Sequence, residues 1–163
     1  VELDPVHADV YRKNAINYRN ELLALHQWTK QTLAKVPAKQ RVMVTAHDAF
    51  GYFGRAYDVE VIGLQGVSTV AEFGLKDIQR IVDLLVKRNI RAVFVESSIP
   101  KRSIEAVVAG AKGRGHDVIV GGELFSDAMG AAGTAAGNYI GMVRSNVETV
   151  ANALMGKQLA QKE

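Results

Sequence analysis

The chain has 163 residues, 48% of them hydrophobic and 23% charged, and no cysteine. That composition is globular and excludes a disordered chain, a collagen or a disulfide scaffold. The missing thiols exclude thiolate catalysis, iron–sulfur clusters and cysteine-based zinc sites. A net charge of +3, from 20 basic and 17 acidic residues without a basic run, gives no reason to expect nucleic acid as a partner. No uninterrupted apolar stretch approaches the roughly 18 residues of a membrane span, and the first fifteen or so residues are too charged for a signal peptide.

The first predicted element is one long helix over 5–36. Pro5 suits its first turn and Asp4 its N-cap. Apolar or small residues recur at Tyr11, Ala15, Tyr18, Leu22, Leu25, Leu33 and Val36, mostly three or four apart, and Pro37 stops the pattern. Such a helix is roughly 45 Å long at 1.5 Å per residue. A domain of this size is only about 40 Å across, so the helix should overhang its own domain.

Four buried-strand runs follow: Arg41–Ala46, Val59–Leu64, Arg91–Glu96 and Asp117–Gly121. Between them lie predicted helices at 49–57, 69–89 and 101–114. In the second of these Leu75, Ile78, Val82 and Leu85 share one face. A glycine- and alanine-rich loop is expected over 122–135, then a helix over 136–155 carrying Val143, Val147, Val150 and Leu154. Strands alternating with helices imply an α/β fold: a parallel sheet of about four strands with helices on both faces, preceded by the long helix.

Ligands of open α/β sheets bind beyond the carboxyl ends of the strands. His47, Gln65, Glu96 and Asp127 fall there. A lone histidine at a loop is ordinarily a locally bonded polar residue. Imidazole is also the commonest protein metal ligand, and a histidine with an aspartate suits zinc or manganese. Two ligands are not a complete site. Asp48 is expected to cap the 49–57 helix. Asp127 has a local reading as a turn cap, and Glu96 has two: a cap for 97–104, or the acceptor that holds a ligand histidine in place. His7, His26 and His116 read as surface or turn residues. The glycines of 130–137 form no phosphate loop, and there is no GxSxG elbow.

The segments TAHDAFGYFGRAYDVE (45–60) and GGELFSDAMGAAGTAAGNYIGMVRSNVETVANAL (121–154) resemble the C-terminal lobe of metal-specific solute-binding proteins of bacterial ABC importers, the zinc/manganese/iron family. LQGVSTVAEFGLKDIQRIVDLLVKRNIRAVFVESS (64–98) resembles the intervening strands and helix, and DPVHADVYRKNAINYRNELLALHQW (4–28) the helix that joins the two lobes. The resemblance implies a binding component rather than an enzyme, so no catalytic residue is expected. It implies Zn2+ or Mn2+, with Fe2+ a further option, as transported ligand, and a membrane permease as partner. An exported protein, periplasmic or membrane-anchored, follows too. Residue by residue it implies His47 and Asp127 as two of the metal ligands.

The family's other two ligands come from an N-terminal lobe that this sequence lacks. The implied division is a connector helix over 1–37 and a C-terminal metal-binding lobe over 38–163. A lobe without its partner should expose apolar residues on the connector helix and around HDAFGYF, and a homodimer is the expected consequence. Asp58 stands where the family commonly has glycine. Two other readings remain open here: a metal-dependent hydrolase using Glu96 beside His47 and Asp127, and an interaction module without metal.

Overall fold

The structure is a computed structural model that describes residues 1–65, 74–98 and 100–156. Its α/β order is α1 (Ala8–Leu33), β1 (Val42–His47), α2 (Gly51–Tyr57), β2 (Glu60–Gln65), α3 (Leu75–Arg88), β3 (Ala92–Glu96), α4 (Arg102–Gly113), β4 (Ile119–Leu124) and α5 (Tyr139–Leu154). The part of the expected 69–89 helix before Gly74 lies outside the described residues.

The strands are parallel, as the alternation of elements requires. β1 pairs with β2 from Val42 opposite Glu60 to His47 opposite Gln65, and β3 pairs with β4. The expected four-stranded sheet is thus two hydrogen-bonded ladders, with β1 lying alongside β3 between them. Side chains alternate across this layer, as the period of two demands. Val42, Val44 and Ala46 of β1 and Val93 and Val95 of β3 face α3 and α4. Met43 and Phe94 face the other way, onto Leu33, Val147, Val150 and Ala151 of α1 and α5. All of β1 and β3 is buried, which explains why they read as continuous apolar runs.

Several local expectations change. The fourth strand runs on to Leu124 instead of stopping at Gly121. Gly121 and Gly122 together oppose Phe94, between the pairs Val93–Val120 and Val95–Glu123, which is a bulge within the strand and not its end. Gly122 has φ 143°, a conformation that favours glycine. At Gly121 a Cβ would lie 2.6 Å from Ala153 Cβ and 2.9 Å from Phe94 Cε1, so the strand needs glycine to approach α5. Leu75, expected on the buried face of α3, is exposed; Ile81, Val82 and Leu85 carry that face.

Asp4 stands at the N-cap of the helical turn Pro5–His7 that leads into α1 but makes no side-chain cap bond, and Asp48 is not at the cap of α2. Asp4 accepts from Tyr11 Oη at 2.7 Å and meets His7 Nδ1 at 2.9 Å, and these two bonds hold its carboxyl below the usual carboxylate range. Asp48 is exposed, and α2 starts at Gly51 with Phe50 at its cap. The cause is a tight turn: Ala49 N–H donates back to the His47 carbonyl at 3.1 Å. Asp58 closes α2 in the left-handed region, φ 56°, with Arg41 Nη1 donating to its carboxylate at 3.0 Å.

The long helix is real and overhangs. The 26 residues of α1 are about 39 Å long at 1.5 Å each, yet only Leu25, Thr29 and Leu33 are buried. Val10, Tyr11, Ile16, Tyr18 and Leu23 are between 43% and 59% exposed. These side chains lie on more than one side of the helix and are left largely uncovered by the described residues.

The seat of α2 yields a test. A Cβ on Gly54 would lie 2.5 Å from the Val59 carbonyl oxygen and 2.7 Å from Val61 Cγ2, because α2 sits directly on the start of β2. Gly54→Ala should lower stability by about 1–3 kcal/mol, overpacking outweighing the helix-propensity gain of roughly 1 kcal/mol. The urea midpoint reads this, and an unchanged or raised midpoint would show that α2 can shift freely.

Candidate metal centre

The strand order decides which residues meet. With β1 beside β3, the last residues of both strands, His47 and Glu96, stand together at the carboxyl edge. Both are buried, His47 at 4% and Glu96 at 1% exposure. Glu96 accepts the His47 backbone N–H at 3.0 Å through Oε1, and its Oε2 lies 2.7 Å from His47 Nδ1. The second contact is out of line for a good hydrogen bond, and neither atom has any other partner among the described residues. Two buried polar atoms so placed have only each other to bond. Thr45 Oγ1 donates to the His47 carbonyl at 2.8 Å, so main chain and ring are both held. Glu96 therefore does not cap the following helix, whose cap position is Lys101 without a side-chain bond.

The other ring nitrogen faces the opposite way. His47 Nε2 lies 3.9 Å from Asp127 Oδ2. This joins residues 80 positions apart, as the strand-end argument expects. The two sit in an open cleft of about 700 Å³ whose lining also includes Asp48, Tyr52, Arg55 and Ser126. Gln65 ends β2 in register with His47.

Asp127 is held differently from His47. Its carboxylate is 64% exposed. It accepts from Ser98 Oγ at 3.2 Å, and Ser98 Oγ also lies 3.0 Å from Ser126 Oγ. Its local turn-cap reading gives way to this link across to the end of β3. Asn146 of α5, buried on the same side of the helix as Val143, Val147 and Val150, brackets Phe125, two residues before Asp127. Its Oδ1 accepts from Phe125 N–H at 2.9 Å and its Nδ2 donates to the Phe125 carbonyl at 2.8 Å. Neither Ser98 nor Asn146 was singled out from the sequence. Asn146 had a legible signal: an amide inside the apolar stripe of its helix, where a buried polar group needs partners.

The donor set suits a borderline cation. One imidazole nitrogen and one carboxylate oxygen both ligate zinc or manganese. Donors around tetrahedral zinc stand roughly 3.3 Å apart, given bonds of about 2.0–2.1 Å. The observed 3.9 Å needs only a small inward movement of the exposed aspartate. Among the described residues no group of three or more histidine, aspartate or glutamate side chains is arranged to hold a metal. Glu96 is on the wrong side of the ring to add a third ligand or a base. His7, His26 and His116 are engaged with Asp4, Tyr57 and the Ile90 carbonyl respectively.

Comparison with known proteins shows the family. Residues 1–153 match the family described as zinc-uptake complex component A, periplasmic (ZnuA), and the chain belongs to that family of metal-binding solute-binding proteins. It is 54% identical over 150 residues to the manganese-binding lipoprotein MntA of Bacillus subtilis, a match covering 92% of this chain and 49% of that protein. It is 50% identical over 137 residues to the zinc-binding protein TroA of Treponema pallidum, 84% of this chain and 44% of the relative. The solved structure of TroA superposes with a TM-score of 0.91 over 94% of this chain and 55% of that one, at 46% identity. Fe(III)-bound YtgA of Chlamydia trachomatis superposes with a TM-score of 0.83 at 25% identity, covering 98% of this chain and 57% of that one. The chain thus spans about half the length of the relatives it matches. By their names these relatives bind manganese, zinc and iron.

The Asn146 bracket is testable. Asn146→Leu leaves the Phe125 N–H and carbonyl without their partner, at about 1–3 kcal/mol for a buried unpaired group. Amide exchange at Phe125, Ser126 and Asp127 should quicken more than in β1. Uniform quickening across the chain would mean that the amide supports the whole core and not this loop.

Proposed function

We propose that the chain is the metal-binding C-terminal half of the substrate-binding component of an ABC importer for a transition metal. The carrying observation is the convergence of His47 Nε2 and Asp127 Oδ2, 3.9 Å apart, at an open cleft in a chain of this family. His47 supplies nitrogen and Asp127 supplies oxygen to zinc or manganese, with iron as a further cargo. Irving–Williams affinity favours zinc over manganese in vitro whichever is carried.

The remaining ligands come from outside the described cluster. In this reading residues 1–37 are the connector between two lobes and residues 38–163 the C-terminal lobe. The exposed apolar residues Tyr11, Ile16, Tyr18 and Leu23 of α1 then belong to surfaces that an N-terminal lobe or a second copy of the chain covers. The protein works outside the cytoplasmic membrane, anchored or periplasmic, and delivers its metal to a permease.

A hydrolase reading is less well supported. A general base must reach the metal-bound water, whereas Glu96 is committed to Nδ1 and the main chain of His47. An interaction module without metal leaves the convergence of His47 and Asp127 unexplained.

Calorimetric titration with zinc and with manganese tests the proposal, beside His47→Ala and Asp127→Ala and with light scattering on the same samples. The 163-residue chain should bind zinc weakly as a monomer, or tightly at one metal per dimer. Either variant should abolish binding. Zinc binding retained by both variants would refute the site.

A further inference from the structure

Most histidine side chains in water favour the tautomer with the proton on Nε2. That tautomer has no lone pair on Nε2 and cannot ligate a metal there. In this chain the nitrogen that faces Asp127 and the cleft is Nε2. Something must therefore keep the proton on Nδ1.

The surroundings of Nδ1 supply it. Glu96 Oε2 is 2.7 Å away, and no other polar group among the described residues serves either atom. With Glu96 ionised, its carboxylate only accepts hydrogen bonds, and Nδ1 is then the donor. The other oxygen is not free to rearrange, because Oε1 accepts the His47 backbone N–H at 3.0 Å. The carboxylate is 1% exposed, so water does not compete for it.

We infer that Glu96 is the positioning residue of the metal centre: it fixes the His47 ring as the Nδ1–H tautomer and so presents an unprotonated Nε2 to the metal. This rests on His47 being a metal ligand, as proposed above. It goes further by assigning the preformed lone pair to a residue that does not touch the metal.

The backbone contact makes one substitution decisive. Glu96→Gln has nearly the same shape but one acceptor oxygen and one amide NH2. The His47 backbone N–H claims the oxygen. The NH2 must then face Nδ1 and donate to it, which moves the ring proton to Nε2. A buried group is exchanged for a neutral isostere, so the fold should survive.

Long-range nitrogen–proton NMR of histidine-labelled, metal-free chain at mildly alkaline pH reads the tautomer, with His47→Ala assigning the signal. The wild type should show Nδ1–H and Glu96→Gln should show Nε2–H. In calorimetry with zinc the variant should bind about 10–100-fold more weakly, the usual effect of removing a group that orients a metal-ligating histidine. A wild-type ring with its proton on Nε2 would overturn the inference, even if the variant did not fold. So would an unchanged tautomer in the variant, or a switched tautomer with unchanged zinc affinity. Absence of zinc binding by the wild type would instead mean that the two donors hold no metal without ligands from outside the chain, while the spectra still decide the tautomer.

Discussion

A carboxylate taken out of water is costly unless its oxygens find partners, and both oxygens of Glu96 turn to one residue: Oε1 accepts its backbone N–H and Oε2 lies 2.7 Å from its ring. That residue is His47, at the end of the neighbouring strand. The contact links the two hydrogen-bonded ladders at their carboxyl edge, where β1 and β3 run side by side. It also decides which way the imidazole faces. The architecture and the site therefore depend on one buried pair. Loss of the Glu96 side chain would leave an unpaired N–H and an unpaired ring nitrogen inside the core.

From that anchor the site is asymmetric. His47 is buried and held at its main chain, carbonyl and ring. Asp127 is exposed, on a loop tied through Phe125 to Asn146 and through its carboxylate to Ser98. In the proposed site His47 is the preformed donor and Asp127 the exposed one. Such a division suits a carrier, which must bind a cation and later release it. An enzyme would want its acid–base group fixed beside the metal, and the available carboxylate of Glu96 points at the other nitrogen.

Much of this was legible in the sequence because it followed from periodicity. Continuous apolar runs gave the strands, steps of three and four gave the helices, and the strand-end rule brought His47 and Asp127 to one edge. Glu96 was visible at that edge, but its two local readings could not be separated. Its partner is 49 residues away, and only the adjacency of β1 and β3 brings them together. The Gly121–Gly122 pair was read as the end of a strand because glycine commonly marks one; against Phe94 it makes a bulge. The caps expected at Asp4 and Asp48 failed for another reason. A carboxylate before a helix can bond side chains or remain in water, and local sequence does not say which.

The central claim is that one imidazole of this chain, His47, faces the metal beside one carboxylate. X-ray absorption of the zinc-loaded chain tests it most directly. The account predicts the multiple-scattering signature of a single imidazole per chain, with the other neighbours at oxygen distances, and loss of that signature in His47→Ala. An imidazole signal that survives in His47→Ala, or bound zinc without any imidazole in the wild type, would contradict it.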